Sequence, residues 1–124
     1  AFASPGRIIL ETSSNPNEPR KHFFDSLKNQ LSEEVDAQGR NFELLEIPEA
    51  PEDCIIGERF CLSYVNFYIA NGSIIAPSYG IKTDDEVKER LQSYFPSREI
   101  NMVPISSIAQ GGGGIHCITQ QQPK

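Results

Sequence analysis

"IANGSIIA", residues 69–76, is the stretch on which the fold of this chain turns. Asn71-Gly72 sits between two runs of β-forming residues. Such a pair is the strongest short-range hairpin signal, because a type I′ turn needs positive φ at both central positions. The run before it, Leu62 to Ala70, carries Tyr64, Val65, Phe67, Tyr68 and Ile69 and predicts one strand. Ser73-Ile74-Ile75-Ala76 predicts its partner.

Downstream, Thr83-Asp84-Asp85-Glu86 has the pattern of a capping box. The helix it opens turns Val87, Leu91 and Tyr94 inward and stops at Pro96. Ile100 to Ile105 predicts a strand, Ser106 to Gln110 a short turn, and Ile115 to Thr119 a last strand. Upstream, Pro5-Gly6 precede Arg7-Ile8-Ile9-Leu10, a buried strand by its continuous apolar run. Polar turn residues 12–17 follow. Glu18 to about Val35 then places Phe24, Leu27, Leu31 and Val35 on one helical face, with Pro19 in the first turn and Gly39 ending the element. Phe42 to Ile47 predicts a strand stopped by Pro48, and residues 48–59, with their prolines and acids, predict a loop.

The hairpin strand has an echo. "GRIIL", a helix and "FELLEIP" correspond to "GSIIA", a helix and "EINMVPI". Both units run glycine, apolar strand, helix, apolar strand, proline, which suggests a repeated ββαβ-like unit. Any α/β protein alternates in a similar way, so the pattern alone fixes the class as α/β and leaves true repetition open.

The 124 residues are the size of one domain, and 38% of them are hydrophobic, enough for a modest core. No apolar run approaches the ~20 residues of a membrane span, and no basic segment with an apolar core suggests a signal peptide. The chain opens on Ala1 and enters a strand-like run at once, as a piece of something longer would. Its net charge of −6 is a poor match for nucleic acid; it suits a cationic small substrate and, equally, plain solubility. Cys54, Cys61 and Cys117 form no CxxC pair, and with His22 and His116 they make no zinc signature. Reduced thiols and a cytoplasmic location are the simplest account. No metal and no cofactor are expected.

Cys117 follows Gly111 to Gly114, Ile115 and His116. A reactive cysteine needs exposure, room for substrate and something that stabilises its thiolate. The glycines can supply room, and their backbone N–H groups can face developing charge. The same residues also fit a flexible linker ahead of a small apolar cysteine. If 115–119 is a strand, His116 and Cys117 point to opposite faces, so His116 is a poor base for the thiol. Cys54 and Cys61 read as structural.

"SYVNFYIANG" at 63–72, "GGGGIHCITQQQP" at 111–123 and "FASPGRIIL" at 2–10 together resemble the agmatine deiminases, which share a family with the Porphyromonas-type peptidylarginine deiminases. The resemblance covers essentially the whole chain. It implies a pentein fold, an α/β propeller of ββαβ modules, of which residues 1–124 would be the C-terminal part of one catalytic domain, about two modules of the five. It implies that Cys117 is the nucleophile, that Gly112, Gly113 and Gly114 line the substrate, and that the substrate is a small guanidinium cation, with no nucleic acid or membrane partner. Agmatine would become N-carbamoylputrescine and ammonia through an amidino-cysteine intermediate. The general acid/base of the family is the histidine of a His-x-Asp motif, which would lie upstream of Ala1; neither His22 nor His116 matches it. Many members carry Asn where this chain has Gly114. A deiminase of free or peptidyl arginine, a non-catalytic interaction module, and assembly as a homo-oligomer all stay open.

Overall fold

The computed structural model describes residues 1–13, 15–18, 20–51, 57 and 59–122. Pro19 and Cys54 lie outside the described residues. The chain divides into two compact units, Ala1–Glu49 and Ala50–Lys124.

In the first unit β1 (Phe2–Ser4) and β2 (Arg7–Thr12) form an antiparallel hairpin, helix α1 (Lys21–Glu33) crosses over, and β3 (Glu43–Pro48) returns parallel to β2. The order β1-β2-β3 makes β2 central. Ile8, Ile9 and Leu10 are buried in succession, as a parallel strand covered on both faces requires. Phe24 is the buried residue of α1, with Leu27 and Leu31 half-buried on its face.

The second unit repeats the scheme. β4 (Tyr68–Ala70) and β5 (Ser73–Ser78) form the hairpin, α2 (Thr83–Tyr94) crosses over, and β6 (Glu99–Pro104) lies parallel to β5. Ile74, Ala76, Val87 and Leu91 are wholly buried. A short helix α3 (Ser106–Ala109) and a 3-10 turn (His116–Ile118) complete the unit.

The echo read from sequence is therefore structural. Arg7 pairs with Glu43 as Ser73 pairs with Glu99, and Thr12 with Pro48 as Ser78 with Pro104. The ladders also begin alike: the N–H of Glu43 donates to Gly6 O at 2.8 Å, and that of Glu99 to Gly72 O at 3.0 Å. Among the described residues no helix is long and apolar enough to cross a membrane.

Five expectations are corrected. Helix α1 ends at Glu33, and Val35, 51% exposed, bridges to Asn41 instead. The competing force is the Asp36 carboxylate, whose Oδ1 accepts the N–H groups of Gln38 (2.8 Å) and Arg40 (3.0 Å); Gly39, at φ 76°, serves that turn and does not end the helix. The Asn71-Gly72 hairpin forms, but among the described residues only glycines have positive φ, so Gly72 alone is left-handed and the turn is not type I′.

Helix α2 begins at Thr83 without a side-chain cap. Asp84 instead turns back and accepts the N–H groups of Tyr79, Gly80 and Ile81. The strand predicted over 62–70 shrinks to 68–70. Leu62, Tyr64 and Phe67 are all buried, a spacing that a pleated strand cannot turn to one face. The backbone beside them is bonded away from any sheet: Cys61 N–H to Ala109 O at 2.8 Å, and Ser63 N–H to the Tyr79 hydroxyl at 2.9 Å. Finally, residues 115–119 hold a 3-10 turn, not a strand. Ile115 is its one buried apolar residue; Ile118 is 64% exposed.

Candidate active site

The glycine run is a folded connector. The N–H of Gly111 donates to Ile108 O at 2.9 Å and that of Gly112 to Ala109 O at 3.0 Å, which extends α3 by a turn. Gly112 then takes φ 84°, a value open mainly to glycine, and redirects the chain. Ile115 packs into a small core with Ile105 and Ala109. That contact fixes the start of the 3-10 turn, whose bonds run from Ile118 N–H to Ile115 O (3.2 Å) and from Thr119 N–H to His116 O (3.3 Å). Cys117 lies at the middle of this turn, exposed and unpaired with any other cysteine.

Asn66 meets the turn from 51 residues away in sequence. Its Nδ2 donates to Cys117 Sγ at 3.3 Å, and its Oδ1 accepts the His116 N–H at 2.8 Å. Its own carbonyl accepts the same N–H at 3.1 Å. The segment around it is firmly held. Buried Tyr64 donates its hydroxyl to Asp84, and buried Phe67 meets Phe95 edge-on at 5.9 Å.

Two of the glycines touch this arrangement directly. A Cβ on Gly113 would stand 3.3 Å from Cys117 Cβ and 3.7 Å from Sγ. A Cβ on Gly114 would stand 2.6 Å from Asn66 Cγ, which no folded protein tolerates without movement. The family expectation of Asn at 114 thus meets a site where Asn66 already fills the space.

The electrostatics favour the anion. A hydrogen bond from the Gly114 backbone, then one from the Asn66 side chain, hold the Cys117 thiol below its ordinary value; partial desolvation opposes them, and the backbone of Cys117 itself adds to the lowering. Hydrogen-bond donors aimed at a sulfur stabilise its thiolate, the nucleophilic form of cysteine.

The sequence-predicted site residues Gly112, Gly113, Gly114 and Cys117 are thus brought together on one connector. His116 is exposed, and a 3-10 turn sets neighbours about 120° apart, not on opposite faces. What His116 contributes to the site is its backbone N–H. The partners of Sγ among the described residues are amides, and none is an imidazole or carboxylate. Asn66 was not singled out from sequence. The available signal was a lone amide, a poor strand former, inside a run of aromatic and β-branched residues. Gln121 and Gln122 line a groove with Tyr68, Ile69, Ala70 and Asn71.

The model of the Porphyromonas-type peptidyl-arginine deiminase family matches residues 1–123. An agmatine deiminase of Pseudomonas fluorescens is 37% identical over 98% of this chain and 38% of its own length. One of Pseudomonas savastanoi pv. phaseolicola is 35% identical with the same coverage, 98% and 38%. The structure of agmatine deiminase of Enterococcus faecalis, described as catalysing its reaction, superposes with a TM-score of 0.88 at 28% identity, covering 99% of this chain and 38% of that one. The chain thus spans about 38% of the length of these relatives, and its mixed α/β architecture with small sheets matches that of the Enterococcus faecalis structure.

Proposed function

From the membership of this chain in the Porphyromonas-type peptidyl-arginine deiminase family, matched over residues 1–123, we propose that the protein to which it belongs is a guanidine iminohydrolase acting on agmatine, with Cys117 as nucleophile. The observation that carries the reading is the exposed Cys117 sulfur, beside Gly113 and under amide donors that favour its anion.

In this reaction the Cys117 thiolate attacks the guanidinium carbon and an S–C bond forms. One terminal nitrogen takes up a proton and leaves as ammonia, and an amidino-cysteine remains. Water then adds to that carbon, the S–C bond breaks, and the thiolate returns as the carbonyl forms. The product is N-carbamoylputrescine. The donors on sulfur make the first step feasible at neutral pH, because the thiolate is the attacking species. Of the three glycines, Gly113 lies against the sulfur and leaves it room on that side, while the space at Gly114 is taken by Asn66.

The two protons handled in this cycle need a group that can accept and donate them, and such help contributes typically about 10²–10⁴-fold. The amides around Sγ cannot do this. We assign it to a histidine outside residues 1–124, as the family resemblance implies, and infer that residues 1–124 alone release no ammonia. On the same reading the two ββαβ units are two of five modules of one pentein catalytic domain, and the enzyme is placed in the cytoplasm.

The test is ammonia release by the intact protein with agmatine, free arginine and an arginine peptide in parallel. Agmatine turnover lost in Cys117→Ala supports the proposal. Preference for an arginine substrate would move the assignment within the family, and agmatine turnover that survives Cys117→Ala would sink it.

A further inference from the structure

We propose that Asn66 is a positioning residue that orients and charges the Cys117 sulfur, and that the missing side chain at Gly114 is the slot that admits it. The inference rests on the reading of Cys117 as nucleophile. The argument starts from hydrogen-bond polarity. An Asn side chain ends in one acceptor and one double donor. Here the His116 N–H, a donor with no freedom to reverse, stands 2.8 Å from one end, so that end is Oδ1. The other end, Nδ2, is therefore the one that faces Sγ at 3.3 Å. A thiol can donate to Oδ1, which lies 3.7 Å from Sγ, but the shorter Nδ2 contact is the one that a thiolate strengthens. The polarity of the amide is thus fixed by the backbone of the turn that carries the nucleophile, and the same side chain ties the turn to the segment at 62–67.

The position of Asn66 is itself set from both sides by buried aromatic neighbours, Tyr64 at 0% and Phe67 at 3% exposure. Space for it exists only because position 114 has no Cβ; the nearest Asn66 atoms would lie at 2.6, 2.7 and 2.9 Å from one. The backbone of Gly114 gives the second hydrogen bond to sulfur. Asn66 and Gly114 therefore act together: the glycine leaves the space that Asn66 fills, and both favour the anion on sulfur.

The test is the pH profile of Cys117 alkylation by iodoacetamide in the intact protein, followed on the Cys117 peptide by mass spectrometry. The urea-unfolded protein is the reference. Asn66→Asp keeps the acceptor for His116 N–H and replaces the donor with an anion; Asn66→Ala removes both. In the native wild type the profile should have its midpoint below the roughly 8.5 of a free cysteine. Both variants should move it up and slow alkylation several-fold near neutral pH, the loss of thiolate being partly offset by its greater nucleophilicity. Their kcat for agmatine should fall in step, with KM nearly unchanged. Near-UV circular dichroism separates this from loss of fold, and Asn66→Asp, which retains the turn contact, remains informative if Asn66→Ala unfolds. An unchanged profile in folded Asn66→Asp overturns the proposal. Alkylation reads the sulfur directly, so it decides the role of Asn66 whatever the turnover assay says of the deiminase reading.

Discussion

The Tyr64 hydroxyl donates to Asp84 Oδ1 at 2.6 Å, and the tyrosine that makes this bond is fully buried. The same carboxylate accepts the backbone N–H groups of Tyr79 (3.1 Å), Gly80 (2.8 Å) and Ile81 (3.1 Å). It thereby closes the loop between β5 and α2 and pins residue 64, two positions before Asn66. Hydrogen bonds to a charged group each contribute about 1.5–3 kcal/mol. Tyr64→Phe should cost about that much, read as a lowered urea midpoint. Asp84→Ala should cost more, because three backbone donors and one hydroxyl then lose their acceptor. An Asp84→Ala midpoint equal to that of Tyr64→Phe would mean that the loop bonds contribute nothing.

Gly114→Ala tests the slot from the other side. The new methyl would overlap Asn66, and either that side chain or the connector must shift. Overpacking of this kind costs about 1–3 kcal/mol. The variant should be less stable by that order in urea titration, and its Cys117 should alkylate more slowly near neutral pH. Gly111→Ala is the comparison, since there a Cβ would meet only Ile108 O, at 3.2 Å. Equal losses in the two variants would remove any special status for position 114.

Acid titration offers a third check, in the first unit. The carboxyl of Asp36 is held below its ordinary 3.8, first by the side-chain bond to Arg40 and then by the Arg40 backbone N–H. A carboxyl with a lowered folded-state value stabilises the fold while it is ionised. That contribution is present above about pH 4 and is lost as the pH falls through the lower, folded-state value. Asp36→Asn should therefore flatten the fall of the urea midpoint on the acid side. A slope below about pH 4 that is the same in both proteins would show that the 36–40 turn does not depend on this charge.

The sequence was most legible where period and burial agree. β2, β3, β5 and β6 follow apolar runs, and α1 and α2 follow helical spacing that ends near a turn residue or Pro96. It failed where one polar side chain outbid a local propensity. Val35 continues the helical face of Phe24, Leu27 and Leu31, yet Asp36 captures the backbone beyond it. Thr83 reads as a cap, yet the adjacent Asp84 does the bonding, and it does so backwards. Leu62 to Phe67 reads as strand because its residues are β-formers, yet three of them go to buried sites at non-alternating spacing.

The candidate site was half legible for a similar reason. Cys117 and its glycines are adjacent in sequence, and their chemistry is local. Asn66 lies 51 residues from Cys117, and its importance comes from the gap left at Gly114, which is a property of two backbones brought close. Nothing in the composition of "SYVNFYIANG" marks which way its amide will face. A strand at 115–119 would turn His116 and Cys117 to opposite faces, whereas the 3-10 turn sets them about 120° apart. The capture of the His116 N–H by Asn66 makes the 3-10 turn the better solution there.

A 3-10 turn advances the chain by roughly a third of a revolution per residue. Inserting or deleting a single residue between Ile115, which is anchored in the core, and Cys117 would swing the sulfur about 120° around the turn axis, away from Asn66. A strand would have reversed its side chains under the same change and could have been repaired by a second one. The count of residues from Ile115 to Cys117 is therefore as binding on this protein as their identity, and length variation among its relatives should fall anywhere but there.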